Sequence, residues 1–92
     1  MIYYTVIISP NAESDLKALK KSEPQAYRKA VSLIKELVEH PRTGRGKPSL
    51  KRHGLAGFYA RKITDKHRLV YAIDDGIMTI DVVSAKGHYD DK

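Results

Sequence analysis

The stretch Gly57–Tyr71 reads GFYARKITDKHRLVY. Its first half alternates Tyr59, Arg61 and Ile63 with Phe58, Ala60 and Lys62, the two-residue period of a β-strand. A short polar turn follows, and His67-Arg68 then leads into the apolar run Leu69-Val70-Tyr71. Two strands joined by a turn are expected. One face should carry the cations and aromatics, and the other should be apolar. Arg61 and Arg68 become the first candidates for holding an anion, because a guanidinium offers two parallel hydrogen bonds to a phosphate and stays charged.

Upstream, Ile2–Ile8 is rich in β-branched and aromatic residues and reads as a strand. Ser9-Pro10 marks a helix start, Ser9 as N-cap and Pro10 at the first helical position. Glu13 and Asp15 then complement the helix dipole, and Ala12, Leu16 and Leu19 form a narrow apolar stripe. Ser22-Glu23-Pro24 restarts the pattern. Tyr27, Ala30, Val31, Ile34, Leu37 and Val38 recur at three- and four-residue steps, up to a stop at Pro41. Arg42–Gly54 is a basic loop containing glycines. Downstream of Tyr71, Asp74-Asp75-Gly76 signals a hairpin turn, and Ile77–Val83 reads as an interior strand. Ser84–Lys92 is a tail. The order β-α-α-β-β-β predicts an α+β fold: a small antiparallel sheet with a helical hairpin packed on one face, in a single domain spanning 1–92.

The 92 residues carry a formal charge of +6 and no cysteine. Disulfides, thiolate nucleophiles and cysteine-based metal sites are thereby excluded. No signal peptide and no apolar run of membrane-spanning length is visible, so a cytoplasmic location with no membrane partner is expected. The charge is uneven. Arg42, Arg45, Lys47, Lys51, Arg52, Arg61, Lys62 and Lys66 share their stretch of chain with one carboxylate, Asp65. Such a concentration suggests a polyanionic partner, although a solvated basic surface explains charge alone equally well.

If that partner is RNA and the reaction is strand cleavage, the 2′-hydroxyl must lose a proton as it attacks phosphorus. The 5′-oxygen must gain one, and the charge of the phosphorane must be stabilised. Fixed cations with an acid and a base suffice, so no cofactor or metal is called for. His88 is the obvious titrating group. His53 and His67 read as solvated, His40 as a cap of the second helix. No histidine pair has metal-ligand spacing. Tyr59 can serve as a stacking platform for bases, because its strand neighbours are cationic.

Gly46-Lys47-Pro48, Leu50-Lys51, Leu55-Ala56-Gly57, Tyr59–Ile63, His67–Tyr71 and the closing Gly87-His88-Tyr89 together resemble the YoeB/Txe branch of the RelE/ParE toxin superfamily. The resemblance implies a RelE-like fold and the toxin of a type II toxin–antitoxin system. It implies a ribosome-dependent endoribonuclease that cleaves mRNA in the A site without metal. The implied partners are a YefM/Axe-type antitoxin that folds onto the toxin, the ribosome and mRNA, operator DNA through the antitoxin, and a second copy in a homodimer. Residue by residue, Arg68 corresponds to the arginine that stabilises the phosphorane, His88 to the proton-transfer histidine and Tyr89 to the tyrosine that follows it. Arg61 and Lys62 correspond to the phosphate-contacting basic pair, and Lys47 and Lys51 to RNA-contacting loop lysines. The family loop usually reads GKPE, with the glutamate as general base. Here Ser49 follows Pro48, and a serine hydroxyl is no base at neutral pH without help. That departure keeps a second reading open, an attenuated toxin acting only as an antitoxin-bound corepressor. A third reading is a gyrase poison of the ParE branch, against which the terminal His-Tyr pair argues.

Overall fold

Ser9 begins the first helix as its position before Pro10 requires. Its Oγ accepts the Ala12 N–H at 3.0 Å and donates to the Val83 carbonyl at 3.2 Å, so the cap also fastens the helix to a distant strand. The computed structural model describes residues 3–42, 49–50 and 57–87. In chain order the elements are β1 (Thr5–Ile8), α1 (Pro10–Ser22), α2 (Pro24–Leu37), β2 (Ser49–Leu50), β3 (Phe58–Lys62), β4 (Arg68–Asp74) and β5 (Thr79–Ser84). One sheet holds the strands in the order β1-β5-β4-β3-β2. β1 runs parallel to β5, and the other pairings are antiparallel. The helical hairpin supplies the crossover that a parallel pair needs.

The expected element order stands, with one addition. β2 lies where the sequence reads as loop, because two residues are too few to show alternation. The stripe of α2 is also turned. Ala26, Ala30, Leu33 and Leu37 are buried, while Tyr27 and Ile34 pack at the margin of the core. Both sets have helical spacing, and the position of the sheet selects between them. α2 ends before Pro41 is reached. Val38 and Glu39 donate to the carbonyls of Lys35 and Glu36, the tighter i→i−3 pattern that closes many helices.

The last hairpin is closed by a turn wider than an Asp-Gly pair implies. Asp74 Oδ1 accepts the N–H of Gly76 and of Ile77 at 2.9 and 3.3 Å, and Met78 takes a positive φ of 54°. β5 therefore starts at Thr79, and it lies between β1 and β4.

Leu19, Leu33 and Leu37 of the helices meet Leu69, Tyr71, Ile80 and Val82 of the sheet and Ile63 just beyond β3, and Tyr4 with Val6 and Ile8 of β1 packs against this cluster. Strand alternation then divides the sheet. Tyr59, Arg61 and Ile63 lie on the helix side with Leu69 and Tyr71; Lys62, Arg68 and Asp81 lie on the other. The aromatic and cationic set of β3 thus faces the helices, not solvent. Among the described residues no helix is long and apolar enough to cross a membrane.

Candidate functional site

Lys62 and Arg68 are direct cross-strand partners on the face turned away from the helices. Side chains so placed stand about 5 Å apart at Cβ, and like charges there repel unless an anion sits between them. Asp65, in the turn linking β3 to β4, answers part of that charge. Its carboxylate lies 2.6 Å from Lys62 Nζ, and this bond holds the carboxyl below its ordinary range. Asp65 is 92% exposed, so the pair is screened and an incoming phosphate can take its place. Arg68 is half-buried. Its described hydrogen bonds both leave from Nη1, to the carbonyls of Thr64 at 2.7 Å and His67 at 3.2 Å. The guanidinium is thereby aimed by the turn that precedes it.

Three bonds lead the chain beyond β5 to this place. The Ala85 N–H donates to Asp15 of α1 at 3.0 Å, and the Gly87 N–H donates to His67 Nδ1 at 2.9 Å. The Gly87 carbonyl accepts the backbone N–H of Arg68 at 3.0 Å. Gly87 has φ +85°, a conformation that side-chain-bearing residues rarely adopt. His88 and Tyr89 lie outside the described residues, as do Lys47 and Lys51. The residue that precedes His88 is nonetheless bonded to Arg68. Ser49 is paired with Ala60, which is paired in turn with Val70. Arg68 is two residues farther along that strand, about 7 Å at the usual strand rise.

His67 departs from the solvated role expected of it. It is 6% exposed. Nδ1 accepts from Gly87, so the ring proton is on Nε2, which donates to Glu23 Oε2 at 2.8 Å. That bond, with smaller help from Lys66, holds the Glu23 carboxyl below its ordinary range. The only signals for this link in the sequence were the position of His67 beside Arg68 and that of Glu23 between two helices. Neither declares a contact between residues so far apart in the chain. His40 contributes through its backbone, accepting from Arg61 and donating to the Glu36 carbonyl; its side chain is exposed.

Arg61 requires a correction. It has no exposed surface. Its guanidinium donates to the Glu36 carboxylate, the His40 carbonyl and, at 3.0 Å, the Tyr71 hydroxyl. The Tyr71 hydroxyl donates onward to the Pro41 carbonyl at 2.7 Å. Burial raises the Tyr71 pKa, and the Arg61 guanidinium opposes part of that rise. In this arrangement Arg61 ties α2 to the sheet and presents nothing to a phosphate. Tyr59 lies on the same side, its ring stacked on Tyr71 with centroids 5.8 Å apart. Arg42 lies 5.9 Å from the Tyr59 ring centroid and grips Asp75 at 2.7 Å.

A family model described as the YoeB-like toxin of bacterial type II toxin–antitoxin systems matches residues 8–89. Toxin YoeB of Escherichia coli K12 is 34% identical over 84 residues, covering 91% of this chain and 98% of that protein. The YoeB dimer from Staphylococcus aureus superposes with a TM-score of 0.80 at 33% identity, covering 95% of this chain and 99% of that one. The YoeB–YefM complex from the same organism gives 0.78 at 33% identity, covering 94% and 98%.

Proposed function

Because this chain belongs to the family of YoeB-like toxins of bacterial type II toxin–antitoxin systems, we propose that it is an endoribonuclease that cuts mRNA in the ribosomal A site. The observation that carries this reading is the bond between Arg68 and Gly87, the residue before His88. It supports the reading by tying Gly87, the residue before His88 in the sequence, to the strand that bears the partly exposed guanidinium.

In this reading the mRNA backbone lies across the sheet face away from the helices. Lys62 exchanges Asp65 for a phosphate, and Lys47 and Lys51 hold neighbouring phosphates. The 2′-hydroxyl attacks the adjacent phosphorus, and the 5′-oxygen leaves. Arg68 stabilises the charge gathered on the phosphorane oxygens. His88 donates the proton that the leaving oxygen needs, and Tyr89 orients the group undergoing cleavage. Ser49 stands where the family carries its basic glutamate, so His88 also serves the first proton transfer, or the ribosome compensates by positioning the substrate. This scheme uses no metal.

The antitoxin is of YefM type, as in the related staphylococcal complex, and covers the basic face with a segment that folds on binding. Operator DNA is contacted through the antitoxin, and self-association follows the staphylococcal dimer. Ser49 is the observation that favours a second reading, a toxin that pairs with its antitoxin and cuts nothing.

Primer extension on mRNA from cells expressing the protein tests the proposal. Cuts within translated codons, abolished in Arg68→Ala and His88→Ala variants that keep their fold, are expected. Intact mRNA with retained operator binding by the toxin–antitoxin pair would establish the second reading. Accumulated gyrase–DNA breaks without mRNA cuts would overturn both.

A further inference from the structure

His67 is buried, but both ring nitrogens are committed to polar bonds with distant segments. Nε2 donates to Glu23, between the two helices, and Nδ1 accepts from Gly87, at the start of the tail. The His67 backbone is held as well, its carbonyl accepting from Ile63 and Thr64 and its N–H meeting Thr64 Oγ1 at 3.2 Å. The ring is therefore a rigid strut. One end is braced on the helical hairpin and the other holds the peptide group whose carbonyl is bonded to Arg68. Packing alone does not demand this arrangement, since an aliphatic side chain fills similar space without placing the Gly87 N–H.

We infer that His67 is a positioning residue for the cleavage proposed above, fixing through Gly87 where the chain turns toward His88 and Tyr89 relative to the Arg68 guanidinium. The role rests on that functional reading. It depends on one ring nitrogen that accepts and one that donates: Nδ1 takes the Gly87 N–H while Nε2 bonds Glu23. The charged groups around it are Glu23 between the helices, Lys66 and Arg68 on either side in the chain, and Lys86 of the tail, which also acts on Glu23.

The test compares wild type with His67→Gln and His67→Leu. Glutamine can accept from Gly87 through its carbonyl and donate to Glu23 through its amide. Two readouts are needed: kcat and KM for cleavage of ribosome-bound mRNA, and the amide resonance of Gly87 in glycine-labelled wild type and variants. His67→Leu is expected to lower kcat about 10²-fold with little change in KM, as misplacement of a reacting group does. His67→Gln is expected to recover most of that loss. The Gly87 resonance should keep its wild-type, hydrogen-bonded position in His67→Gln and move in His67→Leu. Undiminished kcat in a folded His67→Leu protein, or a Gly87 resonance that does not move in that variant, overturns the inference. If His67→Leu does not fold, the glutamine variant decides it: a kcat that does not follow the Gly87 resonance overturns the inference. A wild type that cuts no mRNA overturns the functional reading itself, whereas cleavage unaffected by residue 67 overturns only the positioning role.

Discussion

Arg61 and Arg68 are the same residue type on adjoining strands and have opposite fates. Arg61 points among the helices and is saturated by Glu36, His40 and Tyr71, while Arg68 lies beside Lys62 on the far face with part of its surface in solvent. Arg61→Ala should therefore act on stability. It leaves the Glu36 carboxylate and the Tyr71 hydroxyl short of a donor in a closed site, a change that costs about 3 kcal/mol when a buried pair is broken. Equilibrium urea unfolding checks this, and a change below about 1 kcal/mol would show that the network relaxes around the loss. Arg68→Ala should act on chemistry instead, lowering cleavage by about 10²-fold or more with an unchanged unfolding midpoint. Ser49→Glu should raise cleavage, since a general base contributes roughly 10²-fold or more. An unchanged single-turnover rate in that variant would mean that the base is supplied elsewhere.

At the level of elements, α2 shows how far periodicity reaches. The sequence reveals an amphipathic helix between Pro24 and Pro41 and the residue spacing of its buried side. It does not reveal which of two overlapping stripes is innermost, because Tyr27, Val31 and Ile34 satisfy the same spacing as Ala26, Ala30 and Leu33. The sheet makes the choice. Small Ala26 and Ala30 let the helix approach, while Leu33 and Leu37 fill the space beneath it. Leu33→Ala should accordingly destabilise by about 2–5 kcal/mol through lost transfer energy and a residual cavity. Val31→Ala, on the half-exposed flank, should cost well under half as much. Thermal unfolding of the two variants side by side measures the difference, and equal losses would return Val31 to the core. The N-caps are more legible than the stripe, because Ser9-Pro10 and Pro24 act through local geometry.

Across the whole molecule, bonds to carboxylates join segments that the chain keeps far apart. Arg42 and Tyr4 converge on Asp75, and His67 meets Glu23. The Asp75 carboxyl is depressed first by its bond to Arg42 and then by Tyr4, and Glu23 first by His67. A carboxylate with a depressed folded pKa contributes stability that is present above its ordinary value and lost as pH falls through the folded one. The ordinary values are 3.8 for Asp75 and 4.5 for Glu23. The melting temperature should therefore fall as pH drops from there, and less steeply in Asp75→Asn and Glu23→Gln. Tyr71 has the opposite sign. Its raised pKa favours the neutral phenol, so its contribution holds below the ordinary 10.0 and fades as pH rises through the raised value. Melting curves across the pH range check both limbs. An acid limb that remains equally steep in both carboxylate variants would assign it to other groups.

Taken alone, the sequence determined the order of the longer elements, the starts of both helices and the family, and it offered Arg68, Lys62, His88 and Tyr89 as candidates. Each of these is written in local spacing, local capping chemistry or a contiguous motif. Only the tertiary structure decided that the Arg61 and Tyr59 side of β3 meets the helices, that His67 is buried as a strut, and that Gly87 is bonded to Arg68. The physical reason is that alternation says which residues share a face without saying what covers it. A charge can also be buried when its partners, here Glu36, His40 and Tyr71, arrive from other parts of the chain.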